Sequence, residues 1–437
     1  MFLESTISDI ENYPFLNPFR FENDPSKKYW HISTLESLLE ENWNSIEEGV
    51  TENREYLAAR EKIFSSSVFQ YFTDQKNRII QESLETDNSF QILGAYTCLL
   101  DSIVQTAFDY SFIDIPLIKE RLVEELNHEL NYKQKNLPEK KEKLKLLKEQ
   151  ILEMEKNLES GSSSSREYRY FQEVESQHES ETRVLEERIE ELQQLIPQIQ
   201  DFTNDKNFVL NHLVIFARGG YGRAELGLSS DRDLGYCLDT NRLNNGEAEM
   251  LRQLIVHIEN LLRNSGVETA HQYFEIDEDL SRFDEVNTLH TIPSILESRV
   301  LLGSESLATN LKNRFFQVIT FEPYVLNLVR SFSESKEPEL NRMDLKMDYG
   351  GLRSLQIPLW ITAATFGIFP SQTADLLAFL IQKHLLSHRQ ALKLCQALEF
   401  LHDLRNFSAV AKEHYFDDEA RDIGCVQENL LQDQLND

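Results

Sequence analysis

Cysteine, proline and basic residues are all scarce in this chain, and each shortage excludes something. Only four of its 437 residues are cysteine. Cys98, Cys237, Cys395 and Cys425 lie far apart with no CxxC spacing. That excludes a zinc ribbon or a disulfide frame and reads as free thiols of a reducing cytoplasm. No apolar run approaches the roughly eighteen residues of a membrane span. The opening segment, MFLESTISDIENYPF, has no basic stretch leading into an apolar block, so no signal peptide is expected. Lys and Arg total 44 against 74 Asp and Glu, a formal net charge of −30. Proteins that grip a nucleic-acid backbone need basic surface, so the balance argues against a polynucleotide substrate and leaves proteins and small molecules. Glycine is also sparse, with 15 in all, yet three of them fall at 219, 220 and 222.

That cluster sits inside LVIFARGGYGRAELGLSSDRDLGYCLD, residues 213–239. Leu213–Phe216 is an apolar run with β-branched members and reads as a strand, which Gly219, Gly220 and Gly222 break. A second strand starts at Asp233. Asp231 and Asp233, one residue apart, point to the same face roughly 7 Å apart along the chain. Two carboxylates beside backbone amides freed by glycines suit a divalent cation bound to phosphates, with Arg223 as a further phosphate donor.

These residues resemble the nucleotidyltransferases of the DNA polymerase β type. The fuller string resembles one branch, the uridylyltransferase that modifies the PII nitrogen-signalling protein, at Gly219, Gly220, Tyr221, Gly222, Arg223, Glu225, Leu226, Ser230, Asp231, Asp233 and Leu234. The resemblance extends to Gly94–Phe108, to Glu297, Arg299, Leu301 and Gly303, and to Asp344-Leu345-Lys346 with Gly350-Gly351-Leu352-Arg353. Trp360 stands where the family places a Trp, while Ser354 replaces the family's Asp. It implies catalytic, metal-binding Asp231 and Asp233, and nucleotide-binding Gly219, Gly220, Arg223 and Ser230. Lys346 or Arg353 is expected to reach the triphosphate. A third carboxylate is expected from the strand predicted over Val267–Ile276, either Glu268 or Glu275; His271 receives no catalytic role. Two positions depart from the family's apolar pattern. Arg218 and Arg232 are expected to point away from the metals into the core, where they would need carboxylate partners.

The remaining chain is largely helical in pattern. Residues up to Trp30 read as an irregular lead-in, and Ser33-Thr34-Leu35-Glu36 as a capping box opening a helix with Leu38, Leu39, Trp43 and Ile46. Helices follow over Tyr56–Leu84 and Ser89–Ala107. In the Lys/Glu-rich stretch from Leu117 to Gln200, Leu144, Leu147, Ile151, Met154 and Leu158 form one seam and Leu185, Ile189, Leu192, Ile196 and Ile199 another. The turn Gly161–Ser165 divides them, which predicts an antiparallel coiled-coil hairpin with Pro138 and Pro197 marking kinks or arm boundaries. It reads as an insertion into the family pattern, serving either as a docking or dimer arm or as a solvated spacer. Gly246–Asn264 is an amphipathic helix ended by Asn264-Ser265-Gly266. From Ser371 onward helices dominate, one opened by the capping box at Ser387–Gln390. His402-Asp403 is an HD dipeptide, but metal phosphohydrolase chemistry needs further separated ligands, and only about 35 residues remain.

The expected fold class is therefore α+β, predominantly helical: a small polymerase β-like nucleotidyltransferase sheet with flanking helical domains and a coiled-coil hairpin insertion. The expected divisions are a 1–116 N-terminal helical region, a 117–200 hairpin, a 201–320 nucleotidyltransferase domain and a 321–437 C-terminal helical domain. The chain is read as either a short family member or an N-terminal piece of a longer one. The expected activity is transfer of UMP or AMP from UTP or ATP to a hydroxyl of a regulatory protein such as a PII-like protein. Two Mg²⁺ or Mn²⁺ ions would assist. The setting is cytoplasmic, with no membrane and no nucleic-acid partner. The rival reading is a catalytically impaired nucleotide sensor or scaffold acting through its arm.

Overall fold

The structure, a computed structural model, describes residues 53–85, 89–159, 165–276, 291–318, 321–333 and 344–415, with a few isolated positions before residue 43. Outside these lie most of the N-terminal lead-in, all of the Ser33–Glu36 box except Leu35, Trp43, Ile46, the turn at 161–164 and Cys425. The described elements are predominantly helical. In order they are α1 (Asn53–Glu85), α2 (Ser89–Ile113), α3 (Ile115–Glu159), α4 (Ser165–Gln200), α5 (Lys206–His212), β1 (Leu213–Ala217), α6 (Gly219–Gly222), β2 (Asp233–Leu238), α7 (Asn245–Asn264), β3 (Ala270–Glu275), α8 (Thr291–Leu296), β4 (Arg299–Gly303), α9 (Glu305–Val318), α10 (Phe321–Ser333), α11 (Leu352–Phe366), α12 (Thr373–Gln382) and α13 (His388–Tyr415).

The four strands form one mixed sheet in the order β3-β2-β1-β4. β1 is antiparallel to β2 and β4, while β2 and β3 run parallel. Every residue of β1 is buried, because the sheet is the middle layer between two cores. Leu213, Ile215 and Ala217 face a core built from α1, α2 and α7. Val214 and Phe216 alternate into a second core with residues of α8, α9, α11 and α12. A strand covered on both faces reads as a continuous apolar run. Close packing fixes two glycines. A Cβ on Gly235 would lie 2.2 Å from the Phe216 ring, and one on Gly303, whose φ is +94°, would lie 1.9 Å from the Leu213 carbonyl oxygen.

Helix ends follow the chain's polar signals. Gln390 N–H donates to Ser387 Oγ (3.3 Å) and Ser387 N–H to Gln390 Oε1 (2.9 Å), the reciprocal box read from the sequence. Ser265 caps α7 and Gly266 follows with φ +71°. α3 and α4 run antiparallel, linked by Arg188–Glu129, Lys140–Glu181 and Lys148–Glu179 at 3.0, 2.7 and 3.0 Å. Such exposed pairs contribute little individually; the anchorage comes from the base, where Leu192, Leu195 and Ile199 are buried. Neither proline ends a helix, contrary to the arm-boundary reading: Pro138 and Pro197 lie inside α3 and α4. Pro138 and Gln134, four residues before it, are exposed, so water can serve the carbonyl that a proline leaves unbonded. Cys98, Cys237 and Cys395 are free thiols. No helix among the described residues is long and apolar enough to cross a membrane.

Candidate nucleotide site

A cavity of about 340 Å³ opens where β1 ends and β2 begins. Gly219, Gly220, Arg223, Ser230, Asp231 and Asp233, the six positions singled out in the sequence, all line it. Its other wall comes from distant parts of the chain: Lys346, Arg353, Gln356 and Trp360 around the start of α11, and His402 and Arg405 on α13. The volume lies in the range typical of small-ligand sites.

Gly219 needs to be glycine twice over. Its φ is +54°, and a Cβ there would sit 3.0 Å from Asp233 Oδ2. The short α6 places the loop, and first-turn amides have no carbonyl of their own helix to bond. Asp233 is partly buried at the head of β2, and burial raises its pKa against the opposing pull of Arg218. Asp231 lies just before the strand and is exposed, with Lys346 Nζ 3.6 Å from its Oδ2.

Arg223 is spanned by two carboxylates. Its Nε donates to Glu225 at 2.8 Å and its Nη1 to Glu297 at 2.9 Å, and all three residues are buried. Burial alone would raise both acids; Arg223 brings Glu225 below the usual range, while Glu297 stays above it. Thr373 donates to the other oxygen of Glu225, tying α12 to this group. Glu297 and Arg299, close in sequence, do not pair with each other. Arg299 heads β4 and reaches Asp101 on α2 at 2.9 and 3.0 Å, while Glu297, in the turn before it, faces Arg223.

The strand-alternation reading of Arg218 is also corrected. β1 stops at Ala217, so alternation no longer governs the next residue, and Arg218 turns into the cavity. Its Nε donates to Leu234 O (3.0 Å) and its Nη1 to Gln272 Oε1 (2.7 Å). Its Nη2 lies 3.9 Å from Asp233 Oδ1. Arg232 does leave the cavity, but without a carboxylate partner among the described residues. It donates to Tyr96 Oη (3.0 Å) and Glu268 O (3.1 Å) and lies over the Phe72 ring. It is only half-buried, and a phenol, a carbonyl and a ring face suffice there.

Neither candidate for the third carboxylate lines the cavity. Glu275 pairs with Leu238 in the β2–β3 register, at the far end of the strand from Asp233, where Arg252 and Tyr273 bind it. Glu268 is exposed. The β3 residue that does reach the cavity is Gln272, opposite Gly235. His271 is exposed and pairs with Glu259 at 3.1 Å. Among the described residues no group of three His, Cys, Asp or Glu is placed to hold a metal ion. Asp231 and Asp233 nevertheless fit a hard cation that completes its shell with phosphate oxygens and water, as Mg²⁺ commonly does.

The cations opposite are poorly matched by the protein. Arg353 stacks on Trp360, 4.8 Å from the ring centroid, and its Nη1 donates to Gln356 Oε1. Its buried Nε has no acceptor among the described residues, and burial, then Arg223, lowers its pKa to about 10. Burial likewise lowers Arg405, with Asp344 and Asp231 acting against the shift. His402 is 2% exposed, with neither ring nitrogen bonded among the described residues, and burial pushes it down to about 4. The sequence reading passed over Arg405 and dismissed His402 with its dipeptide. A signal was present: the apolar stripe Leu394, Leu398, Leu401 continues as His402, Arg405 and Asn406, three polar residues on a face that packing would otherwise keep apolar.

Comparison with known proteins points the same way. Residues 330–414 match the model of the GlnD PII-uridylyltransferase family. That segment carries Lys346, Arg353, Trp360, His402 and Arg405, and excludes the paired aspartates. A bifunctional uridylyltransferase/uridylyl-removing enzyme of Zymomonas mobilis is 30% identical over 165 residues, 36% of this chain and 17% of that protein. One from Ectopseudomonas mendocina is 30% identical over 206 residues, 44% of this chain and 21% of that protein. The chain thus spans about a fifth of the length of the curated relatives it matches.

Proposed function

We propose, for a chain that is PII-uridylyltransferase-like in sequence, a nucleotidyl transfer reaction in the cavity between β2 and α13. The observation that carries this reading is the charge arrangement. Two carboxylates stand at one wall, and Lys346, Arg353 and Arg405 at the other are incompletely matched by protein anions. Buried guanidinium groups without partners are costly, and a triphosphate supplies the missing charge as bidentate oxygens.

In this reading Asp231 and Asp233 hold Mg²⁺ or Mn²⁺, which when bound polarises a phosphoryl oxygen and neutralises developing charge. Gly219 and Gly220 admit the phosphate chain close to the backbone. Arg353 and Arg405 orient the β- and γ-phosphates, leaving the α-phosphorus toward the aspartates. Trp360 holds Arg353 in place, and Arg223 fixes the loop that carries Ser230. An acceptor hydroxyl attacks the α-phosphorus in line; its O–P bond forms as the bond to the β-phosphate oxygen breaks, releasing pyrophosphate and a proton. The relatives' names point to UTP and a PII-type protein acceptor; the residues described here leave UMP and AMP both open.

The second reading, a nucleotide sensor or scaffold that binds without transferring, draws support from Gln272 in the place of an acid. One experiment separates them. The chain is incubated with Mg²⁺ or Mn²⁺, each α-labelled NTP and a soluble extract of its host. The expected result is label on one protein band, from one NTP, with pyrophosphate released. Asp231→Asn or Asp233→Asn should reduce transfer by about two orders of magnitude or more. Nucleotide binding with no label and no pyrophosphate would favour the sensor.

A further inference from the structure

We propose that the guanidinium of Arg218 is a built-in cation of the nucleotide site. It stands where a second metal ion would otherwise sit, so that the site takes a nucleoside triphosphate with a single exchangeable divalent ion. This rests on the nucleotide reading above and concerns the same cavity.

The first support is how firmly Arg218 is fixed. Its backbone N–H donates to Asp233 O (2.9 Å), its Nε to Leu234 O and its Nη1 to Gln272 Oε1. These anchors come from two neighbouring strands, and the residue is 7% exposed. Nη2 ends 3.9 Å from Asp233 Oδ1, close enough for attraction and too far for a hydrogen bond. The Nη2 hydrogens are therefore available to a phosphate oxygen in the cavity that Arg218 lines.

The second support is what the adjacent strand supplies. Two divalent ions held 3.5–4 Å apart, as is roughly usual in two-metal sites, need more than two carboxylates nearby. The β3 face that meets the cavity presents Gln272, a neutral amide whose oxygen already accepts from Arg218. The next residue on that face, Phe274, is buried in the core. A carboxylate at 272 would serve a metal; an amide there serves a guanidinium. Residues 218 and 272 are thus matched as a pair, and each explains the other.

The third support is charge. Each aspartate already faces one protein cation, Asp233 facing Arg218 and Asp231 facing Lys346. Two divalent ions would put four further positive charges against the same two carboxylates. Counted over all the charged side chains that line the cavity, five cations against three carboxylates, one divalent ion and a triphosphate of about four negative charges come close to balance, and a second ion would leave an excess of positive charge.

The first part of the test counts ions on the unmodified chain and depends on no variant; the second compares variants in EDTA. The protein is titrated with Mn²⁺ in the presence of each NTP carrying a non-hydrolysable α,β-methylene bridge, and bound Mn²⁺ is read by electron paramagnetic resonance. The expected result is one Mn²⁺ per bound nucleotide, and two for the Arg218→Met/Gln272→Glu double variant. Nucleotide binding is then measured in EDTA. Arg218→Met should weaken it at least tenfold, whereas Arg232→Met, at the same edge but outside the cavity, should change it less than twofold. Two Mn²⁺ ions on the unmodified chain, or equal EDTA binding by Arg218→Met and the parent, would overturn the inference and leave nucleotide transfer standing. Failure of the unmodified chain to bind any nucleotide under any metal condition would instead remove the functional reading itself.

Discussion

Arg223 was expected to donate to phosphate; it is occupied by Glu225 and Glu297, both buried with it. Removing it strands two acids in the interior. Arg223→Met should therefore cost about 3–5 kcal/mol in urea unfolding, and adding Glu297→Gln should recover part of that. The sequence hid this arrangement because one acid comes from 74 residues away. His402 makes a second residue-scale prediction. Burial holds it down to about 4, against roughly 6.5 when unfolded. As pH falls below about 6.5 the unfolded chain takes up the proton first, so stability declines until the pH nears 4 and then levels off. Each pH unit is worth up to about 1.4 kcal/mol. Between pH 7 and pH 5 the unmodified chain should lose about 2 kcal/mol more than His402→Leu by chemical unfolding at both values. The paired aspartates and glycines, by contrast, were legible because every member falls within fifteen residues of one string.

At the scale of elements, the sheet depends on glycines that leave no room for a methyl group. Gly303→Ala would press a Cβ against the Leu213 carbonyl at a positive φ. It should destabilise the fold by about 3 kcal/mol or more, read as a lowered thermal midpoint. Helix positions were readable from 3.6-residue periodicity and from the Ser387–Gln390 box, since those signals are local. The identity of the β3 residue facing the site was not readable. Choosing among Glu268, Gln272 and Glu275 requires the β2–β3 register, and a shift of one residue exchanges the two faces of a strand. Local alternation also misled at Arg218, because a strand rule was carried one residue beyond the strand.

At the scale of the whole molecule, the long arm α3–α4 and the cavity are separable in construction. The arm's outer half carries exposed ion pairs, and although Ile151 is buried there, the buried part of its apolar seam is concentrated at the base, at Ile189, Leu192, Leu195, Ile196 and Ile199. Replacing residues 134–186 with a short Gly/Ser turn keeps the Arg188–Glu129 link at the new tip. Nucleotide affinity, measured by calorimetry, should then change less than twofold. A loss of labelling of the protein acceptor in the same variant would assign the arm to acceptor docking; intact labelling would assign it to a spacer. The seam made the arm visible in sequence, but exposed charges carry no address, so its partner was not legible.

The cavity draws its aspartates from before residue 240 and its unmatched arginines from after residue 350, with Thr373 and Glu225 joined across the divide. For recombination among relatives this makes the two segments one heritable unit. A crossover between them would bring together a loop and a helical wall shaped in different lineages. A crossover after residue 272 would leave Arg218 and Gln272 together and exchange the arginines they must cooperate with, whereas one between 240 and 272 would part that pair as well.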